Sequence, residues 1–329
     1  MHSLLTRFKR SSEAYLTAVI LLFVVILGVL TPDFLTLNNW VDLIESYSVT
    51  AILAIGLFVV LVTGGIDISF AATASVAQYV AAYCATRMNL PPPVVLLVGA
   101  TVGTLLGCFN ALLIDRLRAT AIIITISTMS VYFALLMYFT SGKSIYGLPA
   151  WWSDSMVLFE WSTGLDETVR LTLPIVVMLV VAVVTAFIMN RTSLGRQLYA
   201  MGGNPEAARR VGVSISSMQW FAYSYLGLLA GIAGLLQAHR VGESVPNAMI
   251  GSELNVIAAA VLGGASLMGG IGSVSGVVLG ILLLAILRNG LNLLGVSPYF
   301  FQIVIGVILL ASTGITGLSQ RRRRVAEQL

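Results

Sequence analysis

An all-α, polytopic membrane protein with about ten transmembrane helices is the fold class the sequence predicts, on three observations. The 329 residues are 58% hydrophobic and only 10% charged, with mean hydropathy +0.95. A water-soluble domain carries about 25% charged residues, so this chain lacks the polar side chains to cover itself in water. Apolar stretches recur along it at lengths near the roughly 20 residues a bilayer span requires. Lys and Arg are shared unevenly between alternate connections. These features exclude a soluble enzyme, a nucleic-acid-binding domain and a disordered scaffold, despite an isoelectric point near 9.2.

The first span, 15–30, follows Arg7, Lys9 and Arg10 and resembles a signal peptide. It runs into Thr31-Pro32-Asp33 without a small-x-small cleavage site, so it reads as an uncleaved helix. The remaining spans are expected at 49–63, 70–86, 94–114, 119–140, 171–190, 218–238, 254–269, 274–294 and 299–317. The second and eighth are short and run into glycine-rich breaks, as discontinuous helices in transporters do. With the N-terminus inside, thirteen of the eighteen Lys and Arg fall in inner segments. The positive-inside rule then places both termini in the cytoplasm. The long outer loop holds Trp151, Trp152 and Trp161, residues suited to a membrane interface. His239 reads as a further interface residue, and Arg288 as a side chain reaching for headgroups. Cys84 and Cys108 read as small core residues.

Two glycine ladders, Gly99-Gly103-Gly107 and Gly272-Gly276-Gly280, lie in the fourth and ninth spans. Glycines four apart line one helix face and admit a neighbouring backbone. Spans five apart cross in opposite senses, so the ladders predict two inverted five-helix repeats.

The longest inner connection, Leu194 to Val213, is punctuated as a short helix: Asn204 caps, Pro205 takes the first position, Glu206 faces the positive end and Gly212 closes it. Such a helix is unstable alone. It either docks on a partner or lies in the headgroups, with Arg209 and Arg210 on anionic membrane lipid. At the second break, Gly64 and Gly65 free backbone groups that need protein or water, and Asp67 stands beside an uncharged region. Asp67 either takes part in a gate or caps the third span at the inner surface. Ser69, Ser266 and Ser273 share that ambiguity. Asn289 and Asn292, three apart, share a helix face suited to a polar passage. Ser141-Gly142-Lys143-Ser144 ends like a phosphate-binding loop, but Met137 stands where that motif requires Gly.

The Glu206-Ala207-Ala208 segment with Gly212 resembles the loop by which permeases of ATP-binding-cassette importers contact their ATPases. Gly64-Gly65-Ile66-Asp67-Ile68-Ser69, the stretch from Ala260 to Ser273 and the stretch from Asn289 to Val296 resemble the ribose-type monosaccharide branch of those permeases. The motifs follow in order over residues 64–296; Phe70-Ala71-Ala72 departs from the family's usual continuation. The resemblance implies one transmembrane permease domain over 1–329 in a bacterial inner membrane, importing a monosaccharide or related polyol. It further implies a separate ATPase subunit carrying ATP and Mg, a periplasmic sugar-binding protein, and a second permease copy or paralogue. No cofactor is expected on this chain, no nucleic acid among its partners, and no catalysis by it. Gly203, Asn204, Pro205, Glu206, Ala207, Ala208, Arg209 and Gly212 would contact the ATPase. Gly64, Gly65, Asp67, Ser69, Ser266, Asn289 and Asn292 would form the path or gate. A branched-chain amino-acid permease is the related alternative. An ion-coupled carrier would show mid-span acids, and none is evident.

Overall fold

The computed structural model describes residues 12–154, 157–162, 168–297, 299–304, 306–307 and 310. In chain order these form α1 (Ser12–Leu30), a 3-10 turn (Pro32–Leu35), α2 (Leu37–Val62), α3 (Phe70–Thr86), α4 (Pro92–Leu117), α5 (Ala121–Thr140), α6 (Ala150–Ser153), β1 (Val157–Ser162) and β2 (Thr168–Thr172). They continue with α7 (Leu173–Arg191), α8 (Ser193–Gly203), α9 (Pro205–Arg210), α10 (Ile215–Val241), α11 (Glu253–Leu262) and α12 (Val274–Leu293). Seven of them, α1, α2, α4, α5, α7, α10 and α12, are long and apolar enough to cross a bilayer. The chain is a polytopic, mostly helical membrane protein. The α3 helix has 17 residues and α11 has 10. Most of the expected span 299–317 lies outside the described residues, as do Arg7, Lys9, Arg10 and Arg321 to Arg324.

The core forms around α2, whose residues from Ala51 to Val62 are all buried. It packs against α10, α12, α7 and α11, while α10 packs on α4 and α3. The first ladder explains the α4–α10 contact: a Cβ at Gly103 would overlap the Gly227 carbonyl oxygen, and one at Gly227 the Gly103 oxygen. Backbones this close gain dispersion contacts along the whole seam, which substitutes for the hydrophobic drive that lipid cannot supply. In the second ladder, Gly276 and Gly280 meet Gly263 and Ala259 of the α11 side. Gly272 lies in the turn before α12, because Ser273 caps that helix with its hydroxyl on the Gly276 amide at 3.0 Å.

Several expectations are corrected. The fold is not purely helical: β1 and β2 pair antiparallel in the connection between α6 and α7. Their β-branched and aromatic residues favour an extended ribbon, and Glu160 pairs with Arg170 at 3.1 Å across it. The second span starts at Leu37, capped by Thr36, rather than at residue 49. Its first turns are polar, so an apolar-run criterion misses them. Trp152 and His239 are core rather than interface residues. The indole of Trp152 donates to the Leu235 carbonyl at 3.1 Å, and its own carbonyl meets His239 Nδ1 at 2.5 Å, fastening α6 to α10. Phe70, Ala71 and Ala72 are buried, so the departure from the family pattern is well packed. Cys84 and Cys108 are free thiols.

Candidate functional site

At one end of the bundle, α8 and α9 fill the long connection before α10. The caps act as the sequence predicts: the Asn204 side chain accepts from the Ala207 amide at 3.0 Å, Pro205 opens α9, and Gly212 has φ +90°. Amides of Gly212 and Val213 close the helix on the carbonyls of Arg209 and Ala208 at 3.1 and 3.0 Å. The helix ends at Arg210. Ala208 is buried against the bundle, whereas Pro205, Glu206, Ala207, Arg209 and Arg210 are exposed. A two-turn helix is thus held from beneath and presented outward.

Sequence reading missed α8 and what it touches. Gly202, its penultimate residue, lies against the C-terminal end of α2 and the 263–273 turn: a Cβ there would overlap the Val62 carbonyl oxygen and stand 2.6 Å from the Gly270 amide nitrogen. That amide donates to Val62 O at 2.8 Å. Gly269, at φ +88°, places its α-carbon so that a Cβ would be 2.8 Å from Gly64 and 2.9 Å from the Gly202 oxygen. Three glycine-rich segments far apart in sequence meet as bare backbone. A Cβ at Gly203 would meet nothing within 4 Å, although its backbone lies against Gly270.

Beside this joint Asp67 is buried, 2% exposed. Its Oδ1 accepts from the Ser69 amide and hydroxyl, both at 2.7 Å, a local turn that opens α3. The Asn110 amide of α4 donates to Ser69 Oγ at 2.7 Å and Asp67 Oδ2 at 3.4 Å, and Tyr132 of α5 donates to Asn110 Oδ1 at 3.2 Å. Asp67 lies in the α2–α3 connection, outside the spanning helices. Burial pushes its carboxyl above the usual carboxylate range, opposed by the Ser69 and Asn110 hydrogen bonds. A Cβ at Gly65 would stand 2.5 Å from the Tyr223 hydroxyl, so Gly65 makes room for α10. Ser266 accepts from the Met268 amide at 3.1 Å within the 263–273 turn. Asn110 and Tyr132 carried one faint signal, polar groups inside otherwise apolar spans.

The opposite end, which carries the hairpin, opens into a vestibule of about 370 Å³ lined by Asp42, Tyr47, Arg240, Arg288, Asn289 and Asn292 among others. A smaller lobe of about 90 Å³ shares Tyr47, Thr50, Arg288 and Phe301 and adds Ser252 and Asn255. Asn289 and Asn292 therefore face one cavity. The Asn289 amide also forms a reciprocal pair with Asn39, at 2.8 and 3.1 Å, which ties α12 to α2. Arg288 lines the cavity instead of reaching for headgroups, because Phe301 offers its ring 5.6 Å away. Asp42, Ser46 and Thr50 recur at a spacing of four, one helix face. That spacing was the overlooked signal for the vestibule.

The Asp67 network and the vestibule thus lie at opposite ends of one α2 helix, with the presented α9 next to the former. A family model described as the branched-chain amino acid transport system permease component matches residues 39–313. The ribose import permease protein of Escherichia coli strain K12 is 33% identical over 301 residues, covering 92% of each chain. The Bacillus subtilis ribose import permease is 33% identical over 88% of each. The galactose/methyl galactoside import permease of Escherichia coli strain K12 is 30% identical over 98% of each. No solved structure matches the chain. On this similarity the chain belongs to the family of permease components described for the branched-chain amino acid transport system, and it is a membrane transport component rather than a catalytic subunit.

Proposed function

We propose that this protein is the translocation subunit of a bacterial importer for a monosaccharide or related polyol, powered by a separate ATP-binding-cassette ATPase. The observation that carries the reading is the pairing of a polar vestibule at one end of α2 with the exposed, doubly capped α9 at the other. The sugar class rests on the similarity to the ribose and galactose/methyl galactoside import permeases. In this reading α9 faces the cytoplasm and docks the ATPase through Glu206, Ala207, Arg209 and Arg210. The hairpin end faces a periplasmic sugar-binding protein. Ten spans, with α3, α11 and the segment from residue 299 added to the seven long helices, leave both termini cytoplasmic. A second permease copy or paralogue completes the membrane unit, and lipid surrounds it.

Packing supports the inverted repeat. The α3 and α4 helices of the first repeat pack on each other and on α10 of the second, and the matching α11 and α12 of the second repeat pack on each other and on α2 of the first. Gly64, Gly65, Asp67, Ser69 and Ser266 form the inner gate, and Asn289 and Asn292 the outer path.

The test is to coexpress the chain with its ATPase and binding protein and measure uptake of ribose, galactose and allose. Ala207→Glu places a charge on the docking face and is expected to abolish copurification of the ATPase and uptake together. Normal uptake by that variant would return α9 to the lipid surface.

A further inference from the structure

The vestibule holds the guanidinium of Arg288, which makes no ion pair among the described residues although Asp42 lines the same lobe. Among the described residues the ion pair found is Arg170 with Glu160 on the hairpin, not at Arg288. Arg288 stands over the Phe301 ring and lines both lobes of the vestibule. In the wider lobe the other charged groups are Asp42 and Arg240, and Arg240 donates to the Ser46 carbonyl at 2.6 Å. Among the described residues of the smaller lobe Arg288 is the sole charged one, surrounded by Thr50, Ser252, Asn255 and the buried Tyr47 hydroxyl, on which its charge acts.

Arg288 is exposed and lines the cavity, and an Arg on a spanning helix that faces a water-filled cavity marks a candidate solute or ion pathway. Guanidinium offers five N–H donors in one plane and no acceptor. With its face against Phe301 and the Tyr47 hydroxyl beside it, the guanidinium keeps further N–H groups for ligand oxygens. Its unpaired charge also repels cations, as cationic groups do in selective pores. Low-dielectric walls focus that field along the cavity.

We propose that Arg288 is the charge-selecting residue of the vestibule: it holds an oxygen of a hydroxylated solute, neutral or anionic, and turns cations away. The proposal rests on reading the vestibule as the sugar passage. A passage wide enough for a sugar would otherwise admit small cations, so a fixed positive charge lets the same opening carry polyols without an ion leak.

The test uses the assembled complex in liposomes, with Cys84 and Cys108 replaced by alanine and Thr50→Cys introduced. Labelling rates are compared for an anionic and a cationic methanethiosulfonate reagent, sulfonatoethyl and trimethylammonioethyl, each normalised to its rate with a free thiol. The anionic reagent is expected to be favoured about tenfold. Arg288→Met should bring the ratio near one and raise the uptake KM about tenfold; Arg288→Lys should keep the ratio. Equal normalised rates in the protein that retains Arg288 overturn the proposal while leaving the passage intact. A preference that survives Arg288→Met assigns the selection to Arg240 and also overturns it. An unchanged KM in Arg288→Met overturns the oxygen-holding role. No labelling by either reagent overturns the passage reading itself. If Arg288→Met fails to accumulate, the ratio in the Arg288 protein and in Arg288→Lys decides.

Discussion

At the α8–α9 end, Gly64, Gly202 and Gly269 bring three backbones into contact, whereas at the hairpin end Asp42, Arg288 and Asn292 stand around a cavity of about 370 Å³. One end excludes water by removing side chains; the other admits it by presenting polar ones. The contrast teaches how a single helix serves both. The α2 helix is buried without a break from Ala51 to Val62 and polar on one face from Asp42 to Thr50. Gly202, just before α9, abuts Val62 at one end of this helix, and the other end lines the vestibule.

The largest expected effect comes from adding one methyl group to the closed end. Gly202→Ala would drive a Cβ into the Val62 carbonyl, an overpacking of about 3 kcal/mol, and uptake should fall below a tenth of normal. Gly203→Ala, one residue on, meets open space and should transport normally. Equal uptake by the two variants would break the contrast between the ends.

Next in size is the Asp67 network. Asp67→Ala leaves the Ser69 amide and hydroxyl without their acceptor and removes the longer of the two Asn110 contacts, a loss of about 1–3 kcal/mol readable as a lower melting temperature in detergent. Asp67→Asn keeps an oxygen for Ser69 and should lose less than about 1 kcal/mol. A near-normal Asn variant supports capping; failure of both variants in transport at normal abundance makes the negative charge itself part of the gate.

A smaller effect is expected at the open end, where the Asn39–Asn289 pair ties α12 to α2. A double-mutant cycle with alanine at both positions should give a coupling of about 0.5–1.5 kcal/mol. Zero coupling would free Asn289 for the solute alone. The least effect is expected beyond the vestibule, at the half-exposed Glu160–Arg170 pair. There Glu160→Gln should change stability by no more than about 0.5 kcal/mol.

Local chemistry made α9 readable from sequence, because Asn204, Pro205 and Gly212 act through dihedrals and hydrogen bonds within a few residues. The α2 start was hidden by the reverse: Asp42, Glu45 and Ser46 break the apolar run, and only the cavity they face explains them as helix. The hairpin was hidden because the outer loop was read for charge and tryptophan rather than for its alternating residues. The misplacements of Trp152, His239 and Arg288 share one cause, since a polar tip near a span end satisfies itself in headgroups or in protein equally well by composition.

By itself the sequence determined the membrane class, most of the helix positions, the capped α9 and the glycine ladder that seats α4. Each of these depends on composition or on spacing along one helix, which the chain carries regardless of its partners. The tertiary structure decided that Gly64, Gly202 and Gly269 share one joint, that Asp67 is buried against Asn110, and that Arg288 turns to the cavity. Those depend on segments up to two hundred residues apart, and their meeting is set by packing, which no local pattern in the chain encodes.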